Sequence, residues 1–230
     1  MTAHYTDLID PPNAKSVPVS VKTYDFDEEG IYSAYFKRLL DILFVLVSLP
    51  IVLPVMLVMS VVVSLDGGLP FYTQKRIGRN GRIFTMWKLR TMVPDAEGKL
   101  QGYLETNSAA RREWDCTQKL KSDPRITSIG WILRKTSMDE LPQLWNVLKG
   151  DMSLIGPRPM MPEQRNLYPG PVYFGTRPGI TGLWQVSDRN ECSFASRASF
   201  DHSYRQDLSF STDMNILQQT VFVVLRGTGY

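Results

Sequence analysis

A chain of 230 residues, 43% hydrophobic and 21% charged, can bury one globular core with segments to spare. Its formal net charge of +3, from 26 basic and 23 acidic residues, shows no global imbalance of the kind that nucleic-acid binding needs. Only two histidines (His4, His202) and two distant cysteines (Cys116, Cys192) are present, which argues against a histidine-based triad, a histidine-ligated zinc site and a disulfide framework.

Residues 1–30 are polar and proline-bearing and end in Asp25, Asp27, Glu28 and Glu29. They read as a weakly ordered leader with no cleavable signal. From Tyr32 to Lys37 three aromatic residues lead to a lysine, a mixture suited to the membrane–water interface. Ile42 to Leu65 then carries no charge, and as a helix rising about 1.5 Å per residue it could cross a bilayer core of roughly 30 Å. Pro50 and Pro54 interrupt it, four positions apart on one helical face, and leave the carbonyls of Leu46 and Pro50 without intrahelical donors. Lys37 and Arg38 precede the run, and Lys75, Arg76, Arg79 and Arg82 follow it. Basic residues at both ends favour a segment that enters and leaves by the cytoplasmic side. Residues 31–69 are therefore predicted as an interfacial segment and a re-entrant membrane helical hairpin. A proline-kinked spanning helix is the alternative.

Residues 70–230 are predicted as a cytoplasmic catalytic domain, which makes the fold class α/β and helix-rich. In a cytoplasmic domain the cysteines are expected as reduced thiols. Asp66-Gly67-Gly68-Leu69-Pro70 is an exit turn, and strands are predicted over 70–74 and 82–88, joined at Arg79-Asn80-Gly81. Residues 94–121 read as a polar helical excursion, and 128–134 as a helix. Pro142 suits the first turn of another helix, with Asp139 as its N-cap, Lys149 near its end and Gly150 as its stop. Residues 214–225 are apolar at helical spacing but too short to span, so they read as a helix packed on the domain or resting at the interface.

Three stretches could carry chemistry. An ionised Asp139 beside Glu140, with Arg134 and Lys135 upstream, could be a metal ligand or a nucleophile facing a bound phosphate; a helix cap is the plain reading. Arg158, fixed between Pro157 and Pro159, suits bidentate phosphate recognition, or sits in a rigid turn. Lys88 and Arg90 share one face of the second strand and could reach a diphosphate or a lipid phosphate. Arg177-Pro178-Gly179-Ile180-Thr181-Gly182 joins a rigid turn to an aromatic strand, with no preference from physics alone.

Taken together, the chain resembles the bacterial sugar transferase family of monotopic polyprenol-phosphate phosphoglycosyl transferases. The resemblance runs through Lys37-Arg38 and Asp41, Pro54, Phe84, Lys88-Leu89-Arg90-Thr91-Met92, Asp139-Glu140-Leu141-Pro142-Gln143, Asn146 to Ser153, Gly156-Pro157-Arg158-Pro159 and Arg177 to Gly182. It covers nearly everything from Tyr35 onward. It implies transfer of a sugar-1-phosphate from a UDP-sugar to undecaprenyl phosphate, with Mg²⁺, at the cytoplasmic face of the bacterial inner membrane, and a membrane helix broken at Pro54. It makes Asp139, with Glu140 beside it, the catalytic pair, and Asp139 the residue that becomes phosphosugar-linked. Lys88, Arg90, Arg134, Arg158 and Arg177 match positions expected near phosphates, and Asp201 a downstream acidic position. The short form of the chain looks most like members that start exopolysaccharide synthesis with galactose. Leu53 stands where relatives often have Ser before the breaking proline, and Ser187-Asp188-Arg189 where Ser-Gly-Arg is usual.

The expected partners are thus a UDP-sugar, undecaprenyl phosphate and the lipid bilayer, without nucleic acid; a homo-oligomer is left open. The expected mechanism has Asp139 attack the donor and the lipid phosphate then attack the phosphosugar-enzyme. Its rivals are single-step transfer with Asp139 only binding metal, and a non-catalytic lipid-binding or scaffold module.

Overall fold

The computed structural model describes residues 30–65, 67–117, 120–187 and 194–226. The expected leader, His4, Cys192 and the Asp188-Arg189 departure lie outside the described residues.

A π-helical turn, Tyr32–Phe36, leads directly into α1, Lys37–Ser64. Pro50 and Pro54 both lie inside this one helix, so the chain shows a single helical element where two halves were expected. The Ser48 hydroxyl donates to the carbonyl of Val45, 2.8 Å away, and not to a carbonyl that either proline frees. From Tyr32 to Ser64 the helix is long and apolar enough to cross a membrane. Val45, Leu49, Val52, Met56, Met59 and Val63 recur every three or four residues and form its less exposed stripe. Leu43, Val47, Ile51, Leu57, Val58 and Val61 are exposed on the other side.

Both ends of α1 are held by the globular body. At the start, Arg38 donates to the carbonyls of Val147 and Leu148, at 2.5 and 2.9 Å, and Asp41 accepts from the Leu154 amide at 3.0 Å. Near the finish, Met59 and Val63 pack with Leu89 and Leu133.

The body begins with a hairpin of β1 (Phe71–Ile77) and β2 (Ile83–Leu89), paired antiparallel from Phe71↔Leu89 to Ile77↔Ile83. The turn falls at Arg79–Gly81 as the sequence predicts, because Asn80 and Gly81 accept the positive φ angles, 58° and 76°, that it requires. The polar excursion is two helices, α2 (Ala96–Thr106) and α3 (Ser108–Thr117), closed over Leu100, Leu104 and Ala110. Then come α4 (Ser128–Lys135), α5 (Gln143–Lys149) and the short strand β3 (Ser153–Ile155). A second strand, β4 (Gly179–Thr181), runs parallel to β3. Gly156 and Gly179 permit this approach: a Cβ on either would stand 2.3 or 2.1 Å from backbone of the other segment. The chain closes with α6 (Leu183–Val186), α7 (Arg197–Gln206) and α8 (Phe210–Leu225).

The main core gathers Val45 of α1, Phe84 and Met86 of β2, Val147 of α5, Met152, Leu154 and Ile155 around β3, Tyr204 of α7 and Ile216 of α8. Helix α8 packs on the domain, the first of the two alternatives read from the sequence: Ile216 and Leu217 enter the core, while Phe210, Met214, Val221, Phe222 and Leu225 stay exposed. One buried carboxylate ties the ends of the chain together. Asp213 accepts from Tyr32 Oη at 2.7 Å, Lys37 Nζ at 2.6 Å and Tyr204 Oη at 2.7 Å.

Candidate active site

The acidic pair is set by a sharp reversal after α4. Thr127 caps that helix by accepting from the Gly130 amide at 2.9 Å, and basic Arg134 and Lys135 end it, where cations suit the helix dipole. Ser137 then takes a left-handed φ of 56°, which turns the chain into a 3₁₀ turn, Met138–Glu140. The expected N-cap role of Asp139 is thereby corrected. Pro142 occupies the N-cap position of α5, and Asp139 lies in the preceding turn with its carboxylate free for other partners. Gly150 stops α5 at φ 85°, as predicted.

Asp139 is buried. Lys88, reaching across from β2, pairs with Glu140 Oε1 at 2.7 Å and lies 3.6 Å from Asp139 Oδ2. Burial pushes the Asp139 carboxyl above the usual aspartate range and the Glu140 charge adds to this, while Lys88 and Arg134 pull it down. Arg134 is steadied by donating from Nε to Thr91 Oγ1 at 2.9 Å.

Asn146 holds this arrangement in register and was given no role by the sequence. Fully buried on α5, it accepts from the Trp87 amide at 3.1 Å and donates to the Thr85 carbonyl at 2.7 Å. It thus locks β2, and Lys88 with it, against the helix that follows the acidic pair. Only a side chain with both a donor and an acceptor can make both bonds.

A second cluster lies alongside. Arg158, following β3 between its two prolines, has its guanidinium 5.8 Å from the Trp184 ring centre. Arg197, the first residue of α7, stacks over Trp184 at 4.3 Å and Phe194 at 4.4 Å. Arg76 of β1 donates to the Pro159 carbonyl at 3.1 Å. Asp201, one turn into α7, accepts from Tyr168 Oη at 2.7 Å. Burial raises Asp201 to about 6 against the opposing pull of Tyr168 and Arg197. Burial and the Arg158 charge together lower Arg76 and Arg197 to about 10. Arg76 also feels the Glu140 carboxylate.

The structure therefore brings Lys88, Arg134, Asp139 and Glu140 together, and Arg158 with Asp201 in a second cluster. Two other predicted phosphate ligands hold backbone carbonyls. Arg90 donates to the carbonyls of Leu69 and Val63, at 2.7 and 2.9 Å, where it secures the exit from α1. Arg177 donates to the Gly150 carbonyl at 3.0 Å, at the end of α5. Alternation along a strand shows which face a residue takes, not which backbone awaits it there.

Among the described residues no three His, Cys, Asp or Glu side chains come together as a metal cage. The adjacent Asp139 and Glu140 carboxylates nonetheless suit Mg²⁺, which is commonly held by one or two carboxylates completed by substrate phosphates and water.

Comparison with known proteins fits this geometry. The family model described as bacterial sugar transferase matches residues 32–227. The chain is 47% identical over 199 residues to the UDP-galactose-lipid carrier transferase of Erwinia amylovora, covering 86% of this chain and 42% of that protein. It is 43% identical over 196 residues to the exopolysaccharide production protein ExoY of Sinorhizobium fredii, covering 84% of this chain and 87% of that one. It is 44% identical over 199 residues to the undecaprenyl-phosphate galactose phosphotransferase of Salmonella typhimurium, covering 86% and 42%. The chain thus spans less than half the length of the Erwinia and Salmonella proteins and most of ExoY. With a family match over most of its length and relatives above 40% identity, the chain belongs to the bacterial sugar transferase family.

Proposed function

We propose that the protein transfers a sugar-1-phosphate from a UDP-sugar to undecaprenyl phosphate at a membrane surface, starting the synthesis of an exopolysaccharide or related glycoconjugate. The observation that carries this reading is a buried Asp139, beside Glu140, held on Lys88 and within the field of Arg134. The names of the Erwinia and Salmonella relatives supply UDP-galactose and undecaprenyl phosphate as the donor and acceptor to test first.

In the first step an Asp139 oxygen bonds to the β-phosphorus of the donor, the bond from that phosphorus to the bridging oxygen breaks, and UMP leaves with the electron pair. An oxygen of the lipid phosphate then attacks the same phosphorus and releases Asp139 as a carboxylate. Lys88 and Arg134 favour the ionised Asp139 that this requires, against the burial that opposes it. Arg134 and Arg158 supply fixed positive charge to the phosphoryl oxygens, in a site already shielded from water. Glu140 and Asp139 would hold Mg²⁺ together with the donor's phosphates, where it would neutralise charge on the donor's diphosphate and on the departing UMP.

We read α1 as dipping into the cytoplasmic leaflet and returning to the same side of the inner membrane. Basic residues at both ends, and the attachment of both ends to one body, support this reading. The test is transfer of label from UDP-galactose to undecaprenyl phosphate by the protein in lipid nanodiscs. Label in the lipid fraction, lost in Asp139→Asn, supports the proposal; no transfer from any of a panel of UDP-sugars rejects it.

A further inference from the structure

Thr91 is buried just beyond the end of β2, and the chemistry proposed above gives it no part. Its carbonyl accepts from the Thr127 amide at 3.1 Å, and the Val93 amide donates to the Arg125 carbonyl at 2.9 Å. The stretch after β2 is thereby paired with the stretch that leads into α4. Gly130, in the first turn of α4, lies directly against it: a Cβ there would stand 2.0 Å from the Thr91 carbonyl oxygen. Only glycine lets the helix come this close.

Arg134 follows Gly130 by one helical turn and shares its face of α4. Side chains of an α-helix lean toward its N-terminus, so Arg134 reaches back over the room that Gly130 leaves. Thr91 meets it there, and Thr91 Oγ1 accepts from Arg134 Nε at 2.9 Å. Among the described residues the Arg134 guanidinium makes no other hydrogen bond, and the residue is only half-buried. With Nε held, the terminal Nη1–Nη2 edge is the one left to grip two oxygens of a phosphoryl group in parallel. Burial lowers Arg134, while Asp139 leads the carboxylates that hold its charge, ahead of Asp123 and Glu140, with Arg125 opposing them. Lys88, on β2 just before Thr91, is the other cation at the acidic pair. One short stretch of chain thus sets the spacing of both.

We propose that Thr91 is a positioning residue for phosphoryl transfer, its hydroxyl oxygen aiming the terminal fork of Arg134 at the phosphate that Asp139 attacks. This deepens the proposed function and rests on that reading of Asp139. Thr91 touches no substrate and acts through Arg134. Without the acceptor the long side chain regains its rotamers, and its charge no longer stands where the transferring oxygens pass.

The test is UMP release from UDP-galactose by the full-length protein in nanodiscs, with undecaprenyl phosphate present. Thr91→Val keeps the shape and removes the acceptor, and should lower kcat by about tenfold to a hundredfold, the scale of a misplaced catalytic group. Thr91→Ser keeps the acceptor and should restore most of the rate. In an Arg134→Lys background, where the guanidinium Nε–H is gone, Thr91→Val should have little further effect, because two residues that act as one do not add. A loss that came through the fold alone would persist there at full size. A wild type that is active and is matched by Thr91→Val overturns the proposal. So does Thr91→Ser as slow as Thr91→Val, or a valine effect undiminished beside Arg134→Lys. A wild type that releases no UMP from any UDP-sugar of the panel refutes the proposed function itself, and this proposal with it.

Discussion

The chemistry turns on how much of the Asp139 charge survives burial. Lys88 is its main ally, so Lys88→Met should leave two neighbouring carboxylates facing each other and raise Asp139 further. UMP release should fall at least tenfold at neutral pH and recover partly as pH rises, a shift of the acid limb that a pH–rate profile reads directly. Asp201 makes a different prediction. Its carboxyl titrates near 6 when folded against 3.8 as a free side chain, so the folded protein holds the proton more tightly. Between about pH 4 and 6 the folded state binds more protons than the unfolded one, and stability from this group is present below that window and is lost as pH rises through it. The shift corresponds to about 3 kcal/mol at most. Asp201→Asn should flatten this part of the stability–pH curve, as seen in denaturant unfolding from pH 4 to 7. The sequence made Asp139, Glu140 and Lys88 legible because they stand in compact motifs. It gave no sign that Arg158 and Arg197 would meet at Trp184, because that meeting depends on elements far apart in the chain.

At the scale of elements, the first turn of α1 grips the parts that carry the chemistry. Arg38 occupies carbonyls at the end of α5, the helix after the acidic pair, and Asp41 holds the Leu154 amide of β3, just before Arg158. Arg38→Met should cost about 1.5–3 kcal/mol, the value of hydrogen bonds from a charged donor, as measured by thermal unfolding in nanodiscs. Activity should fall with it, because α5 and the turn before it lose their brace. The β1–β2 hairpin was legible from Asn80-Gly81, where few residues tolerate the geometry. The N-cap reading of Asp139 failed because local rules offer the position to either Asp139 or Pro142, and the left-handed Ser137 decides between them. The β3–β4 pair was not legible. Each strand has three residues, and their partnership depends on glycines at positions 156 and 179 letting two backbones touch.

On the scale of the whole molecule, an exposed apolar face of α1 stands on a body that binds both of its ends. The apolar run was plain in the sequence, but its path was not, because prolines within a membrane helix can bend it or be absorbed. If α1 returns to the side it entered, single cysteines at Gly30→Cys and Leu69→Cys should both resist a membrane-impermeant thiol reagent applied outside intact cells. Labelling of Gly30→Cys alone would mean that α1 spans. The central claim is that Asp139 itself becomes bonded to the phosphosugar, and intact-protein mass spectrometry after incubation with UDP-galactose, Mg²⁺ and no lipid acceptor tests it most directly. The account expects one galactose-phosphate per protein, mapped to the peptide bearing Asp139, removed by undecaprenyl phosphate and missing from Asp139→Asn. An Asp139→Asn protein that still transfers sugar-phosphate at a substantial rate, or a wild type that turns over without the adduct ever forming, would contradict it.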